Sequence, residues 1–264
     1  MKDIRLTVVQ MSSVAGDPEG NLRKMEGFIR DSRGSDVICF HEMCLSGYTT
    51  KDPGRYAIAS DHSCVERLRS LSKEYDMTIV FGYIEDDSKG LCLRQEIVDD
   101  GRTVGFYRKT HLGSREAEFF TPGDELPVFN VRDVNMAIQL CIESHIPDIS
   151  TVYRRKGAEL ILMPFSSGIS GDRRKEVWDT YLPARASDNG LYVAAVSAVG
   201  DNGLGTVFGG GLAVFDPKGR VLAEHYGTDE HSVTVEIGGP LPRDGKDTMD
   251  NISYFGRRRP ELYL

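Results

Sequence analysis

A glutamate, a lysine and a cysteine each stand where a run of β-type residues stops. Glu42 follows DVICF, Lys109 follows GFYR, and Cys141 follows NMAIQL. A thiol alone is a modest nucleophile at neutral pH. With a carboxylate base and an ammonium group to hold a developing oxyanion, it becomes an acyl-transfer site. Free cysteine titrates near ~8.5 and free glutamate near ~4.3, so passing the proton from thiol to carboxylate is uphill by roughly 6 kcal/mol. The trio therefore works only if Lys109 lies close to both partners and if burial raises the glutamate. Each residue also has a plainer explanation. Cys141 would serve as a small buried hydrophobe, Glu42 as a locally paired loop carboxylate, Lys109 as a solvated strand-end cation. These explanations weaken together, because ligands in α/β sheets gather outside the carboxyl ends of strands.

The elements around these residues alternate between strand and helix. IRLTVVQM (Ile4 to Met11) reads as a buried strand. NLRKMEGFIRDSRG reads as a helix with Leu22, Met25, Phe28 and Ile29 on one face. DVICF is a short strand, Cys64 to Tyr75 a helix striped by Val65, Leu68 and Leu71, and MTIVFGYI a strand. LCLRQEIV and RTVGFYR flank Asp100-Gly101 and form a hairpin, so the sheet is mixed. VNMAIQL is a strand, and a helix with Val152, Tyr153 and Lys156 leads into the strand AELILMPF. After the Ser/Gly loop SSGISGD, one helix carries Trp178, Tyr181, Leu182, Arg185 and Ala186, with a kink at Pro183. LYVAAVSAVG, GGLAVFD, RVLAEH and HSVTVEI are the remaining strands. No repeat or linker interrupts residues 1–264, which read as one α/β domain with an extended tail from about 238. That tail has few apolar positions and is expected to pack across another surface, such as a second subunit's.

Composition narrows the partners. A net charge of −8 argues against nucleic acid or an anionic membrane as the main partner. MKDIRLTVVQ runs straight into a strand with no signal-peptide pattern, and no apolar run reaches the ~18 residues of a membrane span. Cys39, Cys44, Cys64, Cys92 and Cys141 are odd in number and irregular in spacing. Free thiols in a cytoplasmic protein are the expectation, and no Cys/His pair has zinc-finger spacing.

The ordered motifs resemble the nitrilase superfamily of carbon–nitrogen hydrolases. The resemblance rests on E-M-C-L-S-G-Y (Glu42 to Tyr48), Y-R-K-T-H-L (Tyr107 to Leu112), E-A-E-F-F-T-P-G (Glu116 to Gly123), the strand end at Cys141, and A-R-A-S-D-N (Ala184 to Asn189). It implies a four-layer α-β-β-α sandwich with two mixed β-sheets, paired into homodimers or larger homo-oligomers. It also implies a Glu-Lys-Cys triad with no cofactor and no metal. Glu42 would be the base and Cys141 the nucleophile. Lys109 and the Ile142 N–H would hold the oxyanion, and Glu116 would position Lys109. The stretch after Cys141 departs from the family pattern, with Ile142 for an aromatic residue and His145 for an arginine. Tyr48, His145, Phe165 and Arg173 are the pocket candidates. The implied reaction is cysteine-dependent hydrolysis of a small linear amide or N-carbamoyl compound through an acyl thioester, releasing ammonia. Nitrile hydrolysis through a thioimidate uses the same residues, and a catalytically silent binding protein would share the fold.

Overall fold

The computed structural model describes residues 1–88, 90–244 and 252–263. Its first sheet uses β1 (Ile4–Gln10), β2 (Val37–Phe40), β3 (Thr78–Asp87), β4 (Gly90–Asp99) and β5 (Arg102–Arg108). The second uses β6 (Phe129–Val131), β7 (Val134–Ile138), β8 (Leu160–Phe165) and β9 (Tyr192–Ser197). A two-stranded ribbon, β10 (Val199–Asp201) and β11 (Val207–Gly209), interrupts it before β12 (Leu212–Phe215) and β13 (Val221–His225) complete it. The chain then crosses back, and β14 (His231–Ile237) closes the first sheet beside β1.

Each sheet has six strands, in the orders β14-β1-β2-β3-β4-β5 and β13-β12-β9-β8-β7-β6. Both are mixed. β1, β2 and β3 pair in parallel, as do β7, β8 and β9, and the outer pairs are antiparallel. Counted from β14 and from β6, the two sheets follow the same pairing sequence: antiparallel, parallel, parallel, antiparallel, antiparallel.

The period-2 alternation of the strands builds four layers. Leu6, Val8, Val37 and Cys39 of the first sheet meet Met136, Ile138, Leu160 and Leu162 of the second in one core cluster between the sheets. Their neighbours Val9, Ile38 and Phe40 point outward against α1 (Pro18–Asp31) and α2 (Ser63–Glu74). On the far side Ala137, Ile161 and Met163 meet α3 (Pro147–Arg155), α4 (Gly171–Asp179) and α5 (Leu182–Asn189). Burying a side chain such as Leu6 stabilises by roughly 1.5–3 kcal/mol, so the alternation fixes which residues can face the site.

Local chemistry sets the element ends. α1 starts earlier than its apolar stripe, because Pro18 fits the first turn and Asp17 accepts from the Gly20 N–H at 2.9 Å. The β4–β5 hairpin turns at Asp100 (φ 45°) and Gly101 (φ 78°), the left-handed pair that an Asp-Gly turn requires. The helix expected to kink at Pro183 is instead two helices. Pro183 sits in the first turn of α5, where its missing N–H has no intrahelical partner to lose. LYVAAVSAVG also divides, with β9 ending at Ser197 before the ribbon begins. The described tail lies against its own chain. The Tyr192 hydroxyl donates to Gly238 O at 2.7 Å, and Arg258 donates to Thr151 of α3 at 3.0 Å.

Candidate active site

Glu42 lies two residues beyond β2, Lys109 directly after β5, and Cys141 three residues beyond β7. The first two leave the first sheet and the third leaves the second. The Lys109 Nζ donates to Glu42 Oε1 and to Glu116 Oε1, both at 2.8 Å, and the lysine is only 1% exposed. Glu116 sits on a short 3-10 turn, Glu116–Glu118. It also accepts from the Tyr48 hydroxyl at 2.9 Å and from the Gly113 N–H at 2.7 Å. The backbone carbonyl of Glu42 is held by the Ser166 hydroxyl at 2.8 Å and by the His41 ring at 2.9 Å. One oxygen of the Glu42 carboxyl is left: buried Oε2 has no hydrogen-bond partner among the described residues.

Cys141 opens a 3-10 turn, Cys141–His145, with φ at 44°. A non-glycine residue in this left-handed region is strained by roughly 1–3 kcal/mol, which the surrounding structure must offset. The turn is fastened by the Ser144 hydroxyl, which donates to Cys141 O at 2.6 Å. Arg185, from the A-R-A-S-D-N motif, donates to Ser144 O at 3.0 Å. The residue is partly exposed while its sulfur is surrounded by protein. The Ile142 N–H belongs to the first helical turn, where geometry supplies no intrahelical acceptor.

The charges act on one another. Burial raises Glu42 to about 7, with Lys109 pulling down and the Glu116 and Glu143 carboxylates pushing up. Burial and the Glu42 charge push the Cys141 thiol up to about 12, against the Lys109 ammonium and the Ser166 N–H, which favour the thiolate. Burial disfavours the Lys109 charge, but Glu42, the Cys141 sulfur and Glu116 together hold it well above its ordinary range. Burial therefore lifts the thiol as well as the carboxylate. Both shifts favour the neutral forms of the thiol and the carboxyl.

The pocket candidates separate. Tyr48 bonds Glu116 and sets its ring edge-on to Phe208, centroids 5.8 Å apart. Phe165 is buried in the outer core 4.9 Å from Trp178, in the cluster against which Cys141 rests. His145 is exposed and lies on Tyr181, 4.3 Å between centroids, with burial and Arg185 lowering its pKa. Arg173 is displaced from the site: it faces solvent and pairs with Glu176 on its own helix at 3.0 Å. The helix turns its neighbour inward instead. Arg174 is 2% exposed and donates to Gly210 O and Ser167 O, both at 3.1 Å, and its guanidinium lies 4.9 Å from the Trp178 ring. Arg173 is the pocket candidate on sequence, and neither Arg174 nor Glu143 is singled out. Helical phase against Trp178 is the signal that distinguishes Arg174.

One trio of metal-type ligands, His225, Asp229 and His231, lies together on the β13–β14 connection. His225 Nε2 bonds Asp229 Oδ1 at 2.9 Å, and the two imidazoles stack at 4.0 Å with planes 19° apart. The trio's ligand atoms all lie within 4.8 Å of one another.

A family model described as carbon-nitrogen hydrolase matches residues 5–238. An (R)-stereoselective amidase of Pseudomonas sp. is 29% identical over 236 residues, covering 89% of this chain and 85% of that one. The omega-amidase NIT2 of Homo sapiens is 25% identical, covering 100% and 98%. The crystal structure of an amidase from Nesterenkonia sp. superposes with a TM-score of 0.83 at 24% identity, covering 98% of this chain and 95% of that one. At that identity the likeness speaks for the fold.

Proposed function

The chain belongs to the carbon-nitrogen hydrolase family, and within it we propose a cysteine-dependent hydrolase of a small linear amide or N-carbamoyl compound that works through an acyl thioester. The carrying observation is the asymmetry of Glu42. Lys109 occupies Oε1 at 2.8 Å while buried Oε2 is left without a partner. A carboxyl near 7 with one bare oxygen suits a proton acceptor and donor at neutral pH.

In this reading the Cys141 sulfur attacks the carbonyl carbon as its proton passes to Glu42. The oxygen becomes an oxyanion facing the Lys109 ammonium and the Ile142 N–H. Collapse breaks the C–N bond, and the proton on Glu42 goes to the departing nitrogen, which leaves as ammonia or an amine. The acyl group remains on sulfur. A water then attacks the thioester, giving its proton to Glu42. Collapse of that second intermediate releases the acid, and Glu42 returns the proton to the thiolate. Glu116 keeps Lys109 aimed throughout. Amides stand ahead of nitriles because the Pseudomonas and Homo sapiens relatives carry amidase names.

Homo-oligomer assembly belongs to the same proposal, carried by the family resemblance. Light scattering at several concentrations tests it. Five unpaired cysteines suit a reducing, cytoplasmic setting, and no helix among the described residues is long and apolar enough to cross a membrane. Ammonia release from matched ω-amides, N-carbamoyl compounds and nitriles, run beside Cys141→Ala, tests the hydrolysis. Release from one class, lost in the variant, is the expected result. Release that persists in Cys141→Ala overturns the reading.

A further inference from the structure

Glu143, two residues past the nucleophile, is fully buried. Its Oε1 accepts from four donors: the Tyr107 hydroxyl at 2.6 Å, the Thr110 N–H and hydroxyl at 2.8 Å each, and the His111 N–H at 3.0 Å. Its Oε2 accepts from the Leu140 N–H at 2.7 Å. A carboxylate offers about four lone-pair sites, so five donors saturate it. Every contact is one in which Glu143 accepts, the pattern of an ionised group. No lysine or arginine pairs with it among the described residues, and the His111 ring stands 3.7 Å away.

The donors fall on two segments. Tyr107, Thr110 and His111 flank Lys109, which leaves β5 in the first sheet. Leu140 precedes Cys141, which leaves β7 in the second. One side chain thus ties the lysine segment to the nucleophile turn across the two sheets. We propose that Glu143 is a positioning residue of the hydrolytic site, fixing the Lys109 ammonium relative to the Cys141 sulfur and supplying part of the negative field on Glu42. The proposal rests on the hydrolytic reading above.

Geometry alone would make Glu143 a brace. Electrostatics adds a second consequence. Glu42 is faced by the Lys109 ammonium, by Glu116, by the Cys141 sulfur and by Glu143. Glu143 itself is faced by the Tyr107 and Tyr153 hydroxyls, both driven up by burial and then by the Glu143 charge. Removing that charge lets Glu42 ionise at lower pH, a change that looser packing alone does not produce.

Two variants separate the roles. Glu143→Gln keeps the size and removes the charge. Glu143→Asp keeps the charge but is one methylene short of reaching both segments. Both are read by kcat and KM on a hydrolysed amide and by the pH dependence of Cys141 alkylation with iodoacetamide. In Glu143→Gln, kcat is expected to fall at least tenfold with KM within threefold, and the alkylation midpoint to move to lower pH by at least half a unit. In Glu143→Asp, kcat is expected to fall similarly while the midpoint stays at the wild-type value. A folded Glu143→Gln with wild-type kcat and midpoint overturns the proposal, as does a folded Glu143→Asp with wild-type kcat. If neither variant folds, Glu143 is a folding element and the proposal also falls. Alkylation needs no substrate, so the two readings can fail separately. A wild type that hydrolyses nothing while Glu143→Gln shifts the midpoint sinks the hydrolysis and keeps the field of Glu143 on Glu42. An active wild type whose folded Glu143→Gln keeps both kcat and midpoint does the reverse.

Discussion

The two sheets share one pairing sequence and divide the chemistry unequally. Because their patterns superimpose, β1 answers to β7 and β2 to β8. Cys141 lies three residues past β7, and Ser13 lies three residues past β1. Ser13 is also a potential nucleophile, and its hydroxyl meets the His41 ring at 3.0 Å. Yet Ser13 is 3% exposed, and burial drives His41 down to about 4, which makes the ring a weak base for the serine proton. Glu42 lies two residues past β2, and at the matching place past β8 stands Ser167, whose carbonyl accepts from Arg174. A nucleophile at a strand end is therefore not a site by itself. Glu42 and Lys109 leave the first sheet, Glu116 lies on the turn that follows, and the sulfur leaves the second sheet; the proposed reaction needs all of them together. Conformation adds to the contrast, since Cys141 has positive φ and Ser13 does not.

The sharpest test of that contrast is paired substitution. Cys141→Ala is expected to lose at least about a thousandfold in amide turnover. Ser13→Ala should keep turnover within about threefold and lose about 1 kcal/mol of stability with its hydrogen bond. Ammonia release and urea unfolding give both numbers, and comparable activity losses would break the distinction between the halves. Next in size is Lys109→Met, which leaves Glu42 and Glu116 buried together without their cation. Turnover should vanish, and stability at pH 8 should drop by about 3–5 kcal/mol. The drop should shrink towards pH 5 as the Glu42 carboxyl takes up a proton, which denaturant titration at the two pH values measures.

The raised Glu42 carboxyl makes a prediction with a defined sign. Its pKa in the folded chain is about 7 against an ordinary 4.5, with burial as the main cause. A raised carboxyl stabilises the fold fully below its unfolded value and loses that contribution as pH rises through the folded one. Glutamine does not titrate. The stability of Glu42→Gln relative to wild type should thus climb between pH 4.5 and 7, by about 3 kcal/mol in all. A flat difference across that window would show that Glu42 is not held protonated by burial.

Smaller effects follow at the edge of the site. Tyr48→Phe removes one donor from Glu116 and should cost about 0.5–1.5 kcal/mol, seen as a few-fold to tenfold loss in turnover. Arg173→Ala should change stability by less than about 0.5 kcal/mol, because its partner Glu176 is an exposed neighbour on the same helix. Arg174→Ala should cost more, since it removes the donors to the buried Gly210 carbonyl and the half-buried Ser167 carbonyl. Thermal unfolding of the two variants side by side orders them.

Much of the fold was legible because the decisive signals are local. The apolar run from Ile4 to Met11 states a buried strand, and Asp100-Gly101 states where a hairpin turns. The stripe of Val65, Leu68 and Leu71 states a helix. Positions of prolines were harder. Pro18 and Pro183 each begin a helix, a fact that depends on the caps and packing around them. The inward turn of Arg174 was signalled only by its phase against Trp178, and the burial of Glu143 was not legible, because each is stabilised by partners far along the chain. Gly210 lies beyond the next helix, and Tyr107 lies on the opposite sheet.

The sequence by itself determined the identities and order of Glu42, Lys109, Glu116 and Cys141 and the places of Glu42, Lys109 and Cys141 at strand ends, since strand periods and turn preferences act over a few residues. Tertiary structure alone decided that one oxygen of Glu42 is paired and the other bare. It also decided that the thiol and the base are both raised, and that Glu143 spans the two segments. Those properties come from distances and burial between residues such as Lys109 and Glu42, 67 positions apart, and no local pattern encodes them.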